Sequence, residues 1–203
     1  MSRKADYSCA EERLNHFALL RSYLRQLELE GQPFLFLRFS YGDELNLHFG
    51  EEKPYRSKAM AGLVKGSHIL STRASKWHLS GLFGTRPLDF ATPRGVRENE
   101  RKEELERAGA LLRGTQIKSV QAFRELPDGR HQSCLSVTFG LIPGAPLARV
   151  SDAKLTIEAP EEKKSSLARE AVPIWELLTP KGHLVMKSNG RWCFSPLDVR
   201  KRA

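Results

Sequence analysis

Between Lys53 and Arg97 the sequence gathers nine basic side chains, Lys53, Arg56, Lys58, Lys65, Arg73, Lys76, Arg86, Arg94 and Arg97, against a single acid, Asp89. Nine minus one gives this segment a formal charge of +8, and the whole 203-residue chain carries +9, so everything outside the segment is close to neutral. Cations at this density attract anions: an arginine fork matches phosphate oxygens two at a time, and a lysine supplies a point charge. Trp77 and Tyr55 lie among them, and aromatic faces stack on unpaired bases for about 1–3 kcal/mol each. This composition predicts a nucleic-acid or ribonucleoprotein surface made by the nine cations together with Trp77.

Two other chemistries fit parts of the same segment. His68 and His78 flank its densest polar run, Ser71 to His78, and an imidazole titrating near neutral pH can act as a general base in a hydrolase of nucleic acid or of a phosphorylated substrate. A metal-dependent nuclease also needs carboxylates to hold its ion, and only Asp89 lies nearby. The third reading is a protein-interaction module, of adaptor or of immunity or inhibitor type, whose basic face meets an acidic partner. No catalytic residue is assigned, and the non-catalytic binder is favoured.

Other motifs are absent from the sequence. There is no Gly-x-x-x-x-Gly-Lys-Ser/Thr phosphate loop, no Gly-x-Gly-x-x-Gly, no His-Glu-x-x-His and no Gly-x-Ser-x-Gly. Cys9, Cys134 and Cys193 are far apart and odd in number, which predicts buried reduced thiols rather than a disulfide framework or a zinc site. No cofactor and no metal is expected. The polar start Met1–Tyr7 and the lack of any long apolar run predict a cytoplasmic protein with no membrane partner.

The elements that must position these groups follow from periodicity. Leu14, Phe17, Leu20, Leu24 and Leu27 recur at helical spacing after Ser8 and Glu11, which have capping-box spacing, and Gly31 stops a helix over Ser8–Glu30. Phe34–Ser40 and Leu45–Gly50 form a hairpin around a polar turn, and Lys53–Arg56 reads as a loop. Short strands follow within Gly66–Leu79, then an irregular connection over Gly81–Gly95. Glu98–Arg113 makes a second helix with Leu105, Ala108 and Leu112 on one face. Strands are expected over Thr115–Leu126, His131–Phe139 and Ala153–Ala159, then a solvated stretch, an apolar patch at Ile174–Leu178, and a last hairpin over His183–Lys187 and Arg191–Phe194.

Leu45-Asn-Leu-His-Phe-Gly50 and Leu135-Ser-Val-Thr-Phe-Gly140 match in form, and each follows a helix that ends in glycine. This predicts an α+β fold, mainly antiparallel β with two short helices, as an internal duplication packed into one compact body. The first lobe is residues 1–97 and the second 98–203. The stretch Leu112-Arg113-Gly114-Thr115-Gln116-Ile117-Lys118-Ser119-Val120, followed by a hairpin, resembles the N-terminal β domain of formamidopyrimidine-DNA glycosylases and of NFACT ribosome-rescue proteins, which reads helix, Leu-x-Gly-x-x-Ile-x-x-Val, hairpin. The resemblance implies a β-rich nucleic-acid binder. It implies no glycosylase activity, because the catalytic N-terminal proline is replaced by Met1-Ser2-Arg3 and the zinc finger has no cysteine counterpart.

Overall fold

Leu20, Leu24 and Leu27 are all buried, and they make α1 (Phe17–Gln26) one side of a core. The computed structural model describes residues 17–39, 44–55, 57–73, 75–82, 88–90, 98–125, 131–144, 150–158, 172–189 and 191–197. The expected capping box at Ser8 lies outside them. α1 ends earlier than Glu30 because Glu28 and Gly31 both take positive φ, at 51° and 82°, and turn the chain away. The second helix, α2 (Glu98–Leu112), buries Leu105, Ala108 and Leu112 as its periodicity requires.

The fold is α+β, mostly antiparallel sheet with these two short helices. Strands β1 (Phe34–Phe39), β2 (Leu45–Pro54) and β3 (Val64–Ser71) join β9 (Pro173–Leu178), β10 (Gly182–Lys187) and β11 (Trp192–Pro196) in a six-stranded sheet of order β1-β2-β3-β9-β10-β11. Strands β4 (Lys76–Leu82), β5 (Leu88–Phe90), β6 (Thr115–Glu125), β7 (His131–Leu141) and β8 (Val150–Glu158) form a five-stranded sheet of order β5-β4-β8-β7-β6. Leu47 and Leu70 on the first sheet and Leu135, Leu155 and Ile157 on the second belong to one buried cluster. Phe49 and Phe139 stack across it with ring centroids 6.2 Å apart. The two sheets thus bury their apolar faces against each other.

Two expected boundaries change. Lys53 and Pro54, read as loop, are the last residues of β2 and pair with Lys65 and Val64. Their side chains are exposed, so no apolar alternation marks them as strand, and Pro54 stands at the strand end where its missing N–H does least harm. The connection over Gly81–Gly95 contains β5, which pairs with β4 through Trp77↔Phe90 and Leu79↔Leu88.

Each sheet draws strands from both sides of residue 97, so the two expected lobes share both sheets. The chain crosses between the sheets twice: after β1, β2 and β3, β4 passes to the other sheet beside β8, and after β6, β7 and β8, β9 returns to lie beside β3. Pro33 and Gln116 form an isolated bridge. They stand two residues after Gly31 and Gly114, the glycines with positive φ that follow the two helices.

Candidate functional site

Period-two alternation decides which β1–β3 side chains face outward from the six-stranded sheet. Leu47 and Leu70 are register partners on the buried side; His48 and Ile69, one residue along each strand, are therefore partners on the other. Phe36 and Arg38 stand opposite His48 and Asn46, which puts them on the outer face too.

Three cations converge there. The guanidinium of Arg38 lies 4.6 Å from the Phe36 ring centroid and donates to the Val64 carbonyl at 3.3 Å, reaching across β2 to β3. Lys65 and Lys53 are directly opposed cross-strand partners, an arrangement that costs stability because like charges repel at this separation. The Lys65 ammonium lies 5.4 Å from the Tyr55 ring centroid, a cation–π distance. Among the described residues no carboxylate lies within 4.0 Å of Arg38, Lys58 or Lys65, while Lys53 meets Glu51 at 3.5 Å on an exposed surface where screening leaves little attraction.

His48 sits at the centre of this group with 1% of its surface exposed. Its ring stacks on Phe36 at 4.4 Å. A bulge between Phe49 and Glu52 disturbs the ladder, and His48 Nδ1 accepts the Gly66 N–H at 3.0 Å. That acceptor role places the proton of the neutral ring on Nε2, which is buried with no hydrogen-bond partner among the described residues. Burial first, then the charges of Arg38 and Lys65, push the ring down to a pKa of about 4. His48 is therefore uncharged near neutral pH. It adds no charge of its own, but it registers the positive potential made by its neighbours.

Glycine fixes this geometry at two points. Gly50 has φ +80°, which a side chain rarely adopts, and it forms the bulge. A Cβ on Gly66 would stand 2.5 Å from the Phe49 carbonyl oxygen and 2.6 Å from its nitrogen. Only glycine lets β3 approach β2 there.

The remaining predicted site residues fall elsewhere. Lys58 is exposed in the turn that closes the β2–β3 hairpin. Arg73 is held by carboxylates from other elements, donating to Glu176 at 2.8 Å and to Glu44 at 3.2 Å. The hydrogen bond to Glu176, working against burial, raises the Arg73 pKa. Burial of Glu176 would raise its own pKa, but hydrogen bonds from His183 and Arg73 outweigh that and hold the carboxyl below its usual range. Lys76 is exposed on β4, in the five-stranded sheet. Trp77, expected to stack on bases, is 2% exposed and belongs to the core, so its ring presents no face to a ligand. Arg56, Arg86, Arg94 and Arg97 lie outside the described residues.

The two histidines considered for catalysis are in different sheets, His68 on β3 and His78 on β4. His68 is 7% exposed, with Ser67 Oγ 2.9 Å from its Nδ1. Burial and the charge of Lys53 lower its pKa despite nearby Glu28 and Glu51. Among the described residues no group of three His, Cys, Asp or Glu side chains is placed to hold a metal ion, and no helix is long and apolar enough to cross a membrane. Cys134 is a buried cysteine outside any disulfide, whereas Cys193 is disulfide-bonded, contrary to the expectation of three reduced thiols. Sequence spacing carries no information on which thiols the fold brings together.

Arg38, Phe36 and His48 were missed as site residues because they precede the charge-dense segment. The alternation Phe36-x-Arg38 opposite Asn46-x-His48 was the available signal. No protein-family model, curated protein or solved structure matches this chain. The chemistry of the face is the guide to what it binds.

Proposed function

We propose that this chain is a non-catalytic nucleic-acid or ribonucleoprotein-binding protein. It engages the phosphate backbone with the outer face of β1–β3. The observation that carries this reading is the opposition of Lys53 and Lys65 across β2 and β3, with Arg38 reaching the same strand end. Burial first, and then the charges of Arg38 and Lys65, lower the pKa of His48, and burial followed by Lys53 lowers that of His68, while the opposed lysines repel at a cost to the folded protein. Bound phosphate oxygens relieve that repulsion and accept charge-assisted hydrogen bonds from all three groups. Tyr55, at the edge of the group, offers an aromatic ring beside the lysines.

Catalysis finds less support. His68 and His78, the candidates for general base, lie in different sheets, and His68 is 7% exposed. The resemblance of the Leu112–Val120 stretch to β-rich nucleic-acid binders points the same way as the cations.

Fluorescence anisotropy with labelled single-stranded RNA and DNA, repeated across a salt titration, tests the reading. Three phosphate contacts on a single strand predict that log K falls with log[salt] with a slope of about −2. Binding that ignores salt, or no binding to either nucleic acid, contradicts it. Co-purification of one stoichiometric acidic protein with no nucleic acid would favour the adaptor or inhibitor reading instead.

A further inference from the structure

Beyond Gly50 and Gly66 the β2–β3 hairpin continues past the buried core. Glu51, Glu52, Lys53 and Pro54 are all exposed. At its end Leu63 is 45% and Val64 37% exposed. The other two such side chains among the described residues, Leu141 and Val172, lie apart on other elements. Val64 pairs with Pro54, and the next pair along is Lys65 with Lys53. Successive pairs face opposite ways, so Val64 and Pro54 face one way and Lys53 and Lys65 the other, with Leu63 just beyond the last pair at the hairpin's end. The turn is ordered by its own backbone: Met60 N–H donates to Ser57 at 3.0 Å, Leu63 N–H to Met60 at 3.1 Å and Tyr55 N–H to Leu63 at 3.1 Å. Its shape is set before any partner arrives.

We infer that this tip is a wedge that covers an open base face of a nucleic acid, with Leu63 and Val64 against the base and Lys53, Lys58 and Lys65 on the flanking phosphates. The inference rests on the nucleic-acid reading above and names the form of nucleic acid. A continuous duplex shields its base faces by stacking. An unpaired base, or the last pair before a single-stranded arm, leaves one uncovered beside a charged backbone, and that combination matches a hairpin end where exposed Leu63 and Val64 stand next to Lys53 and Lys65. A lipid surface fits less well. Leu63 and Val64 together carry far fewer apolar carbons than one myristoyl chain, which by itself anchors a protein only marginally.

The test compares three labelled probes by anisotropy: a continuous duplex, the single strand, and a duplex with a single-stranded arm. The wild-type chain is expected to bind the armed duplex at least about fivefold more tightly than the continuous one, about what covering roughly 40 Å² of apolar surface gives. The variant L63S/V64T is expected to bring the armed duplex down to the affinity of the continuous duplex. Both positions are exposed, and circular dichroism verifies that the variant is folded. K53A/K65A is expected to weaken all three probes together. Binding of nucleic acid with equal affinity for the two duplexes, or a preference that survives in L63S/V64T, overturns the wedge and leaves the cationic face standing. Failure of every probe, or binding to anionic lipid vesicles in their place, overturns both.

Discussion

His48 is an imidazole kept neutral between Arg38 and Lys65, and this sets how the fold responds to acid. Its pKa of about 4 in the folded chain lies below the ordinary 6.5, so the unfolded chain takes up the proton first. The stability tied to this ring is complete above pH 6.5, is lost as pH falls toward 4, and changes no further below that. His68 is shifted in the same direction. Between pH 7 and pH 5 the His48 contribution is on the order of 2 kcal/mol. Urea denaturation at the two pH values should show wild type losing more stability than His48→Asn, whose Oδ1 takes the place of Nδ1 and can still accept the Gly66 N–H without titrating. Equal losses would mean that neither burial nor the two cations depress the ring. At this scale the sequence was a partial guide. It identified Lys53 and Lys65 as cations at a surface but gave no sign that they stand opposite each other. It offered Arg73 as a phosphate contact, whereas Glu44 and Glu176 hold it. Glu176 is more than a hundred residues away along the chain, and no local pattern announces such a partner.

The β2–β3 hairpin is the element on which the site depends. Its inner part was legible, because Leu45, Leu47 and Phe49 alternate with polar residues and are buried. Its outer part was not, because beyond Gly50 both sides face solvent and alternation has no core to report. Trp77 shows the converse error. Its cationic neighbours suggested a surface, yet Leu79, two residues along the same strand, is fully buried with it, and period two was the better guide. The close approach of β3 to β2 at Gly66 should be testable in isolation. Gly66→Ala is expected to destabilise by about 2 kcal/mol or more, since the new Cβ collides with backbone that cannot swing aside. Gly62→Ala, where φ is +82° but the space is open, is expected to lose only about 1 kcal/mol, from backbone strain. Denaturant midpoints decide it, and similar losses at the two positions would show that the Gly66 approach is not a tight one.

For the molecule as a whole, composition and pattern foretold the class and most strands, while pairing between halves was out of reach. Each half contributes to both sheets, so β3 meets β9 and β4 meets β8 only after the chain has crossed between layers. These are contacts between distant segments, and nothing in either strand's own residues selects the partner. The same crossing separates the charge-dense stretch. Lys53, Lys58 and Lys65 stay with the six-stranded sheet and Lys76 goes to the other. Local charge density along the sequence therefore overstated the extent of the face, and the β1–β3 grouping, with Arg38 added, replaces it. The most direct measurement of that grouping is the affinity of one labelled single-stranded RNA for wild type, K53A/K65A and K76A at a single salt concentration. The expected result is a loss of about tenfold or more for K53A/K65A, with K76A close to wild type. Wild-type affinity in K53A/K65A, or an equal loss in K76A, would contradict it.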